Sequence, residues 1–177
     1  MLSRAVVYSS VSQYSIRRLK EDDWVTFKQI RLEALATDPF VFGSNLAAES
    51  ERTEEQWREF LRSPKYGIFV LFVDADPRGM TGIVLDRDDP SERTALLWGS
   101  WLAPEVRGKG LSKLLYETRI AWAREHPTVK RIIVSHRASN LSSKFANQAF
   151  GFVPTHASEK VWNDGVKEEE FHYELIL

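Results

Sequence analysis

The chain has 177 residues, enough for one domain of ordinary size whose core needs no covalent staples. Its 43% apolar and 28% charged residues suit a globular protein, and 24 Lys and Arg against 25 Asp and Glu leave a net charge of -1, which argues against nucleic acid or an anionic membrane as partner. There are no cysteines and only four histidines, none in HExxH spacing, which excludes disulfides and thiolate chemistry and argues against a catalytic metal.

Residues 1–13 read as a loose arm or an added strand. The apolar stretch at 5–8 is shorter than a secretory leader (about 7–15 residues) or a membrane span (about 20) requires. The expectation is a cytoplasmic chain with no membrane partner. Residues 14–177 then read as a single domain. A strand over 14–19 is followed by Glu21, Asp22 and Asp23, acids that suit the first turn of a helix. Trp24, Phe27, Ile30 and Leu35 recur at helical spacing until Asp38-Pro39 breaks the run. A loop is expected over 38–50; its Phe40 and Phe42 either pack on the core or line a pocket. Thr53 and Gln56 fit a capping box for a second helix carrying Trp57, Phe60 and Leu61, which ends at Ser63-Pro64. Strands are expected over 66–73 and 80–85, joined by a turn containing Asp76, Pro77 and Gly79, and then over 94–102. Residues 111–125 form a helix with Leu111, Leu114, Leu115, Thr118 and Trp122 facing inward. A strand at 131–136, a helix at 140–149, a strand from 151 and a closing hairpin complete the chain. That hairpin turns at Asn163-Asp164-Gly165 and ends in a strand over 171–177. Strands and helices alternate without repeat or linker, which gives one α/β domain.

The segment Leu102-Ala103-Pro104-Glu105-Val106-Arg107-Gly108-Lys109-Gly110-Leu111-Ser112 joins a strand to a helix, where unpaired amides can converge on an anion. Gly108 and Gly110 let a phosphate approach the backbone, and Arg107, Lys109 and Lys113 add positive charge. A Walker loop would need Gly at Ala103 and Ser or Thr at Gly110; a dinucleotide fingerprint would need Gly at Lys113.

This segment resembles the acyl-CoA pyrophosphate loop of the GNAT superfamily of N-acetyltransferases. Arg107, Gly110 and Ser112 stand at the positions of that family's Arg/Gln-x-x-Gly-x-Gly/Ala pattern, with Ser departing from it by a hydroxymethyl group. Asn140, eleven residues before Gly151-Phe152, matches a second family signature, and the order of elements agrees over 14–177. The resemblance implies an α/β (α+β mixed) fold: a mixed, mostly antiparallel sheet of about seven strands flanked by about four helices. It implies an acyl-CoA-dependent N-acyltransferase taking acetyl-CoA as donor and an amine as acceptor, either a small molecule or a protein N-terminus or Lys. Leu102 and Ala103 would pair with the pantetheine arm as a pseudo-strand, and Arg107, Gly108, Lys109, Gly110, Leu111 and Ser112 would wrap the pyrophosphate. Asn140, Ser143 and Lys144 would reach the same cofactor, although Asn140 also suits a helix N-cap. No metal is implied. A homodimer is conceivable from the six tryptophans.

The chemistry needs a base for the attacking amine, whose pKa is roughly 10, and a proton for the leaving thiolate. Many family members place a Tyr seven residues after the signature Asn. Here that position is Asn147, which donates a hydrogen bond but is no acid at neutral pH. His136 is the candidate base, with Ser143 and Asn147 the remaining catalytic candidates; strand alternation sets Ser135 and His136 on opposite faces. The missing phenol keeps open an alternative, a catalytically weak acyl-CoA-binding sensor. The acids Glu49, Glu51, Glu54 and Glu55 either attract a cationic acceptor or form a solvated helix face.

Overall fold

A computed structural model describes residues 13–177; the arm or extra strand expected over 1–13 lies outside them except for Gln13. The β-rich segments form β1 (Tyr14–Arg18), β2 (Tyr66–Val73), β3 (Asp76–Leu85), β4 (Thr94–Leu102), β5 (Arg131–Arg137), β6 (Val153–Val161) and β7 (Lys167–Ile176). The helices are α1 (Trp24–Thr37), α2 (Leu46–Ser50), α3 (Glu54–Arg62), α4 (Ser112–Glu125) and α5 (Leu141–Ala149). All seven strands lie in one sheet of order β1-β2-β3-β4-β5-β7-β6, and every neighbouring pair is antiparallel except β4 and β5.

Local chemistry accounts for the boundaries. The Thr53 hydroxyl accepts from the Gln56 amide at 3.3 Å while Gln56 Oε1 accepts from the Thr53 amide at 2.8 Å, closing the expected capping box of α3. The turn between β2 and β3 falls earlier than expected, at Asp74 and Ala75, both with positive φ. Such a turn matches the twist of the flanking strands, so Asp76, Pro77 and Gly79 join β3. The last hairpin turns as expected. Val161 already pairs with Lys167 across it, which makes β7 begin four residues before the expected 171. The loop expected over 38–50 contains the short α2, capped where Asn45 Oδ1 accepts from the Ala48 amide at 2.9 Å.

Alternation along the strands divides the core. Ile68, Val70, Met80 and Trp101 pack under α1 and α3 with Phe27, Ile30, Leu35 and Trp57. Phe69, Ile83, Leu97, Ile132 and Tyr173 meet Tyr116, Ile120 and Trp122 of α4 on the opposite face. Between these layers the parallel pairing of β4 and β5 covers only Thr94–Leu96 against Arg131–Ile133. Beyond Leu96 the two strands diverge, and the gap between them positions the site.

Candidate functional site

Gly99 has φ 63 and sits where the register of β3 and β4 shifts between Met80 and Gly82, so β4 bulges at the divergence. A cavity of about 240 Å³ opens there. Its walls come from the β4 edge (Leu96 to Ser100), from β5 (Val134, Ser135, His136) and from α4 and α5. The loop before α2 and the β6–β7 hairpin close its remaining sides. Because it passes through the gap between strands, Ser135 and His136 both line it although they occupy opposite faces.

On the α4–α5 side, His136 is 5% exposed and Asn147 fully buried. The His136 Nδ1–H donates to the Arg137 carbonyl at 2.9 Å, an assignment that follows because a carbonyl only accepts. In the neutral ring Nε2 then presents a lone pair, and it has no partner among the described residues. A phenol does reach the cavity, from α4 rather than α5: the Tyr116 hydroxyl donates to Asn147 Oδ1 at 2.6 Å. Burial raises the phenol's pKa, and nearby Arg119 opposes the rise. Arg119 is 1% exposed; its Nε donates to the Leu115 carbonyl at 3.0 Å and its Nη1 to Ser100 Oγ at 2.6 Å. Burial lowers its pKa from 12.5 to about 10, so it stays charged at neutral pH.

The opposite side carries a different set. Burial pushes the Glu170 carboxyl up, but Ser135 Oγ, donating at 2.7 Å, and Lys160 Nζ, donating at 2.9 Å, hold it below the ordinary range. Lys160 also lies 4.6 Å over the Trp162 ring. Phe42 forms part of the wall, held under the Arg31 guanidinium at 4.9 Å, and Arg31 pairs with Glu49 at 2.7 Å. Glu49 is thus buried in an ion pair, while Glu54 and Glu55 pair with Arg58 and Arg62 on an exposed helix face.

The glycine loop lies at the open end of the gap. Gly108 and Gly110 have φ 74 and 73, the left-handed region, and the amides of residues 108–112 find no acceptor among the described residues. Leu111 N-caps α4 without a side-chain cap, so the helix dipole faces the loop unanswered. Lys109 is exposed, and Lys113 is 3.6 Å from Glu117. The Arg107 side chain turns away from the loop: Nε donates to the Leu102 carbonyl at 2.8 Å and Nη2 pairs with Asp38.

Four of the sequence-derived candidates, His136, Asn140, Ser143 and Asn147, meet in the cavity, and Arg107 to Ser112 form the continuous loop. Lys144 is half-buried on the first turn of α5 and does not line the cavity. Asn140 is the N-cap of α5, its Oδ1 accepting from the Ser143 amide at 3.1 Å. The Ala103 amide donates to the Arg78 carbonyl on the β3 side. Sequence reasoning missed Tyr116, Arg119, Lys160 and Glu170. For Arg119 a signal existed: it falls on the inward stripe of α4 with Leu115 and Trp122. Among the described residues no cluster of three or more His, Asp or Glu could hold a metal, and no helix is long and apolar enough to cross a membrane.

The family model for the acetyltransferase (GNAT) family matches residues 20–152. Among solved structures, a GNAT-family acetyltransferase from Streptococcus pneumoniae is 20% identical, with 93% of this chain and 100% of that chain aligned at a TM-score of 0.79. The protein yncA from Salmonella typhimurium, solved with its cofactor acetyl-CoA, is 17% identical over 93% and 94% of the two chains, at a TM-score of 0.76. A Salmonella typhimurium acetyltransferase that modifies the N-terminal serine of ribosomal protein L7/L12 is 17% identical over 95% and 96%, at a TM-score of 0.69. At these identities the likeness establishes the fold. No curated protein matches the chain by sequence.

Proposed function

The chain belongs to the acetyltransferase (GNAT) family, and from that premise we propose that it transfers an acyl group, acetyl in the first instance, from CoA to an amine by direct attack. One observation carries the reading: the unpaired amides of 108–112 lie at the mouth of a gap in the sheet that leads to a buried polar cavity. Those amides suit the pyrophosphate, with Lys109 and Lys113 adding charge and Arg107 bracing the loop from behind. The β4 edge between Leu97 and Trp101 offers backbone groups to an extended arm, with Leu102 and Ala103 at its entrance and Asn140, Ser143 and Lys144 along the facing helix. The thioester then falls at the bulge, in the cavity.

His136 Nε2, whose lone pair is fixed by the bond at Nδ1, takes the proton of the attacking amine. Tyr116 supplies the phenol that position 147 lacks: Asn147 Oδ1 holds its hydroxyl at rest, and the proton goes to the leaving thiolate as the hydroxyl turns from Asn147. The acceptor enters past Phe42, Trp162 and the Lys160–Glu170 pair. Peptide N-termini are one class to try, because a structural neighbour modifies the N-terminal serine of L7/L12.

The test is acetyl-CoA titration followed by thiol release against a panel of small amines and peptides with free N-termini. Binding with turnover of at least one amine is expected. Absence of CoA binding overturns the reading; binding without acylation of any amine replaces it with the sensor.

A further inference from the structure

Buried guanidinium groups elsewhere in the described chain have carboxylates: Arg31 pairs with Glu49, and Arg137 with Asp164 and Glu168. Arg119, fully enclosed under the bulge, pairs with none. Its two bonded nitrogens meet neutral oxygens, Leu115 O and Ser100 Oγ, and Ser100 is already shared with Thr81 Oγ1 at 3.0 Å. Nη2 has no hydrogen-bond partner among the described residues, and the guanidinium's other neighbour is the neutral Tyr116 ring, 4.6 Å below it. A charge held this way is costly, because burial removes its hydration and no counter-charge replaces it.

Asn147 repeats the pattern. Its oxygen is taken by the Tyr116 hydroxyl, which fixes the amide so that Nδ2 is the free end, and Nδ2 is buried with no partner among the described residues. Both residues line the one cavity, beside the apolar Leu97 and Val134. Glu170 across the cavity is no substitute counter-ion, since Ser135 and Lys160 already answer its charge. Two unsatisfied donors, one carrying full positive charge, call for a small planar anion with two acceptor oxygens.

We propose that the inner end of this cavity is a carboxylate subsite, in which Arg119 and Asn147 hold a carboxylate belonging to one of the two substrates. The phosphates of CoA are served by the loop at 108–112, at the mouth of the gap, and a cavity of about 240 Å³ admits only a short group. The carboxylate is either the far end of a dicarboxylic acyl chain on the donor or the α-carboxylate of an amino-acid acceptor. The subsite takes its place at the reacting end of the donor from the acyl-transfer reading above.

Calorimetric titration distinguishes the sources. In one arm wild type is titrated with CoA, acetyl-CoA and succinyl-CoA; in the other, alanine and alaninamide are titrated with and without saturating CoA. The expected result is that succinyl-CoA binds about tenfold or more tighter than acetyl-CoA, or alanine tighter than alaninamide by the same factor, because a buried polar site rejects the analogue that leaves it unpaired. Arg119→Met should erase that preference and melt no lower than wild type, since it removes a lone buried charge. Arg119→Lys, which keeps the charge but loses the fork, should weaken it and serves if the Met variant does not fold. If neither carboxylate probe outbinds its neutral counterpart, or if the preference survives in both variants, the subsite is overturned. Loss of CoA binding by wild type would instead sink the acyl-transfer reading, and the alanine arm without CoA would still decide the subsite.

Discussion

On the proposed reading, Gly110 carries the CoA loop through one backbone angle. At φ 73 it stands in a region costing L-residues about 1–2 kcal/mol, yet a Cβ there would meet nothing within 4 Å. Gly110→Val is therefore expected to leave the circular dichroism spectrum intact and to lower CoA affinity by about tenfold, as the loop relaxes away from the left-handed turn that aims its amides. On the proposed reading, His136 and Asn147 carry separable roles. His136→Gln should then cut kcat by about a hundredfold or more, with KM for acetyl-CoA little changed. Asn147→Ala strands the Tyr116 hydroxyl in the core, a loss of about 1–3 kcal/mol that thermal melting should register. The amide itself does not titrate, so a change in the pH–rate profile of Asn147→Ala would report the Tyr116 phenol it no longer holds.

The elements around the gap are held by contacts that bear on the cavity walls. Trp98 lies flat across Gly82 of the neighbouring strand, and a Cβ at that glycine would overlap the indole. Gly82→Ala should push Trp98 toward the cavity and destabilise by about 1–3 kcal/mol, the ordinary cost of overpacking. The short α2 depends on Glu49, which receives two bonds from Arg31 at 2.7 and 3.0 Å beneath Phe42. Glu49→Ala leaves that guanidinium buried without its partner, so a destabilisation of about 3–5 kcal/mol is expected in chemical denaturation. If the variant matched wild type, the pair would be ornamental and the Phe42 wall would hold itself.

For the whole molecule, paired carboxylates set the acid limit of stability. Glu49 and Glu170 are raised by burial but lowered overall by their donors, and hydrogen bonds from Arg17 and Arg137 lower Asp23, Asp164 and Glu168. Unfolding returns them to ordinary values of 3.8 and 4.5, so the unfolded chain binds more protons at low pH. Their contribution is complete above those values and disappears as pH falls through the lower folded ones. His172 acts in a higher window. Burial, then the stacked His156, lowers its pKa below 6.5, so stability should already slip as pH falls from 6.5 toward its folded value. Melting temperature should thus decline gently below pH 6.5 and steeply below about 4.5, and His172→Gln should remove the first step only.

Most elements were legible because their signals are local. Thr53 with Gln56 caps α3, the stripes of α1 and α4 repeat at helical spacing, and the Arg107–Ser112 loop lies where a strand hands over to a helix. Divergence from those signals came where long-range geometry intervenes: the primed turn at Asp74-Ala75, the α2 turn locked by Arg31, and the extra pairs that lengthen β7. The candidate site divides the same way. The loop and the Asn140–Asn147 face are contiguous in sequence and could be read from spacing, whereas the pairing of Tyr116 with Asn147, of Ser135 with Glu170, and the isolation of Arg119 join positions 31 and 35 residues apart or leave a charge alone. Whether a polar residue is satisfied depends on what the sheet brings beside it. Only the folded chain, with β4 parting from β5 beyond Leu96, decides that six segments share one cavity.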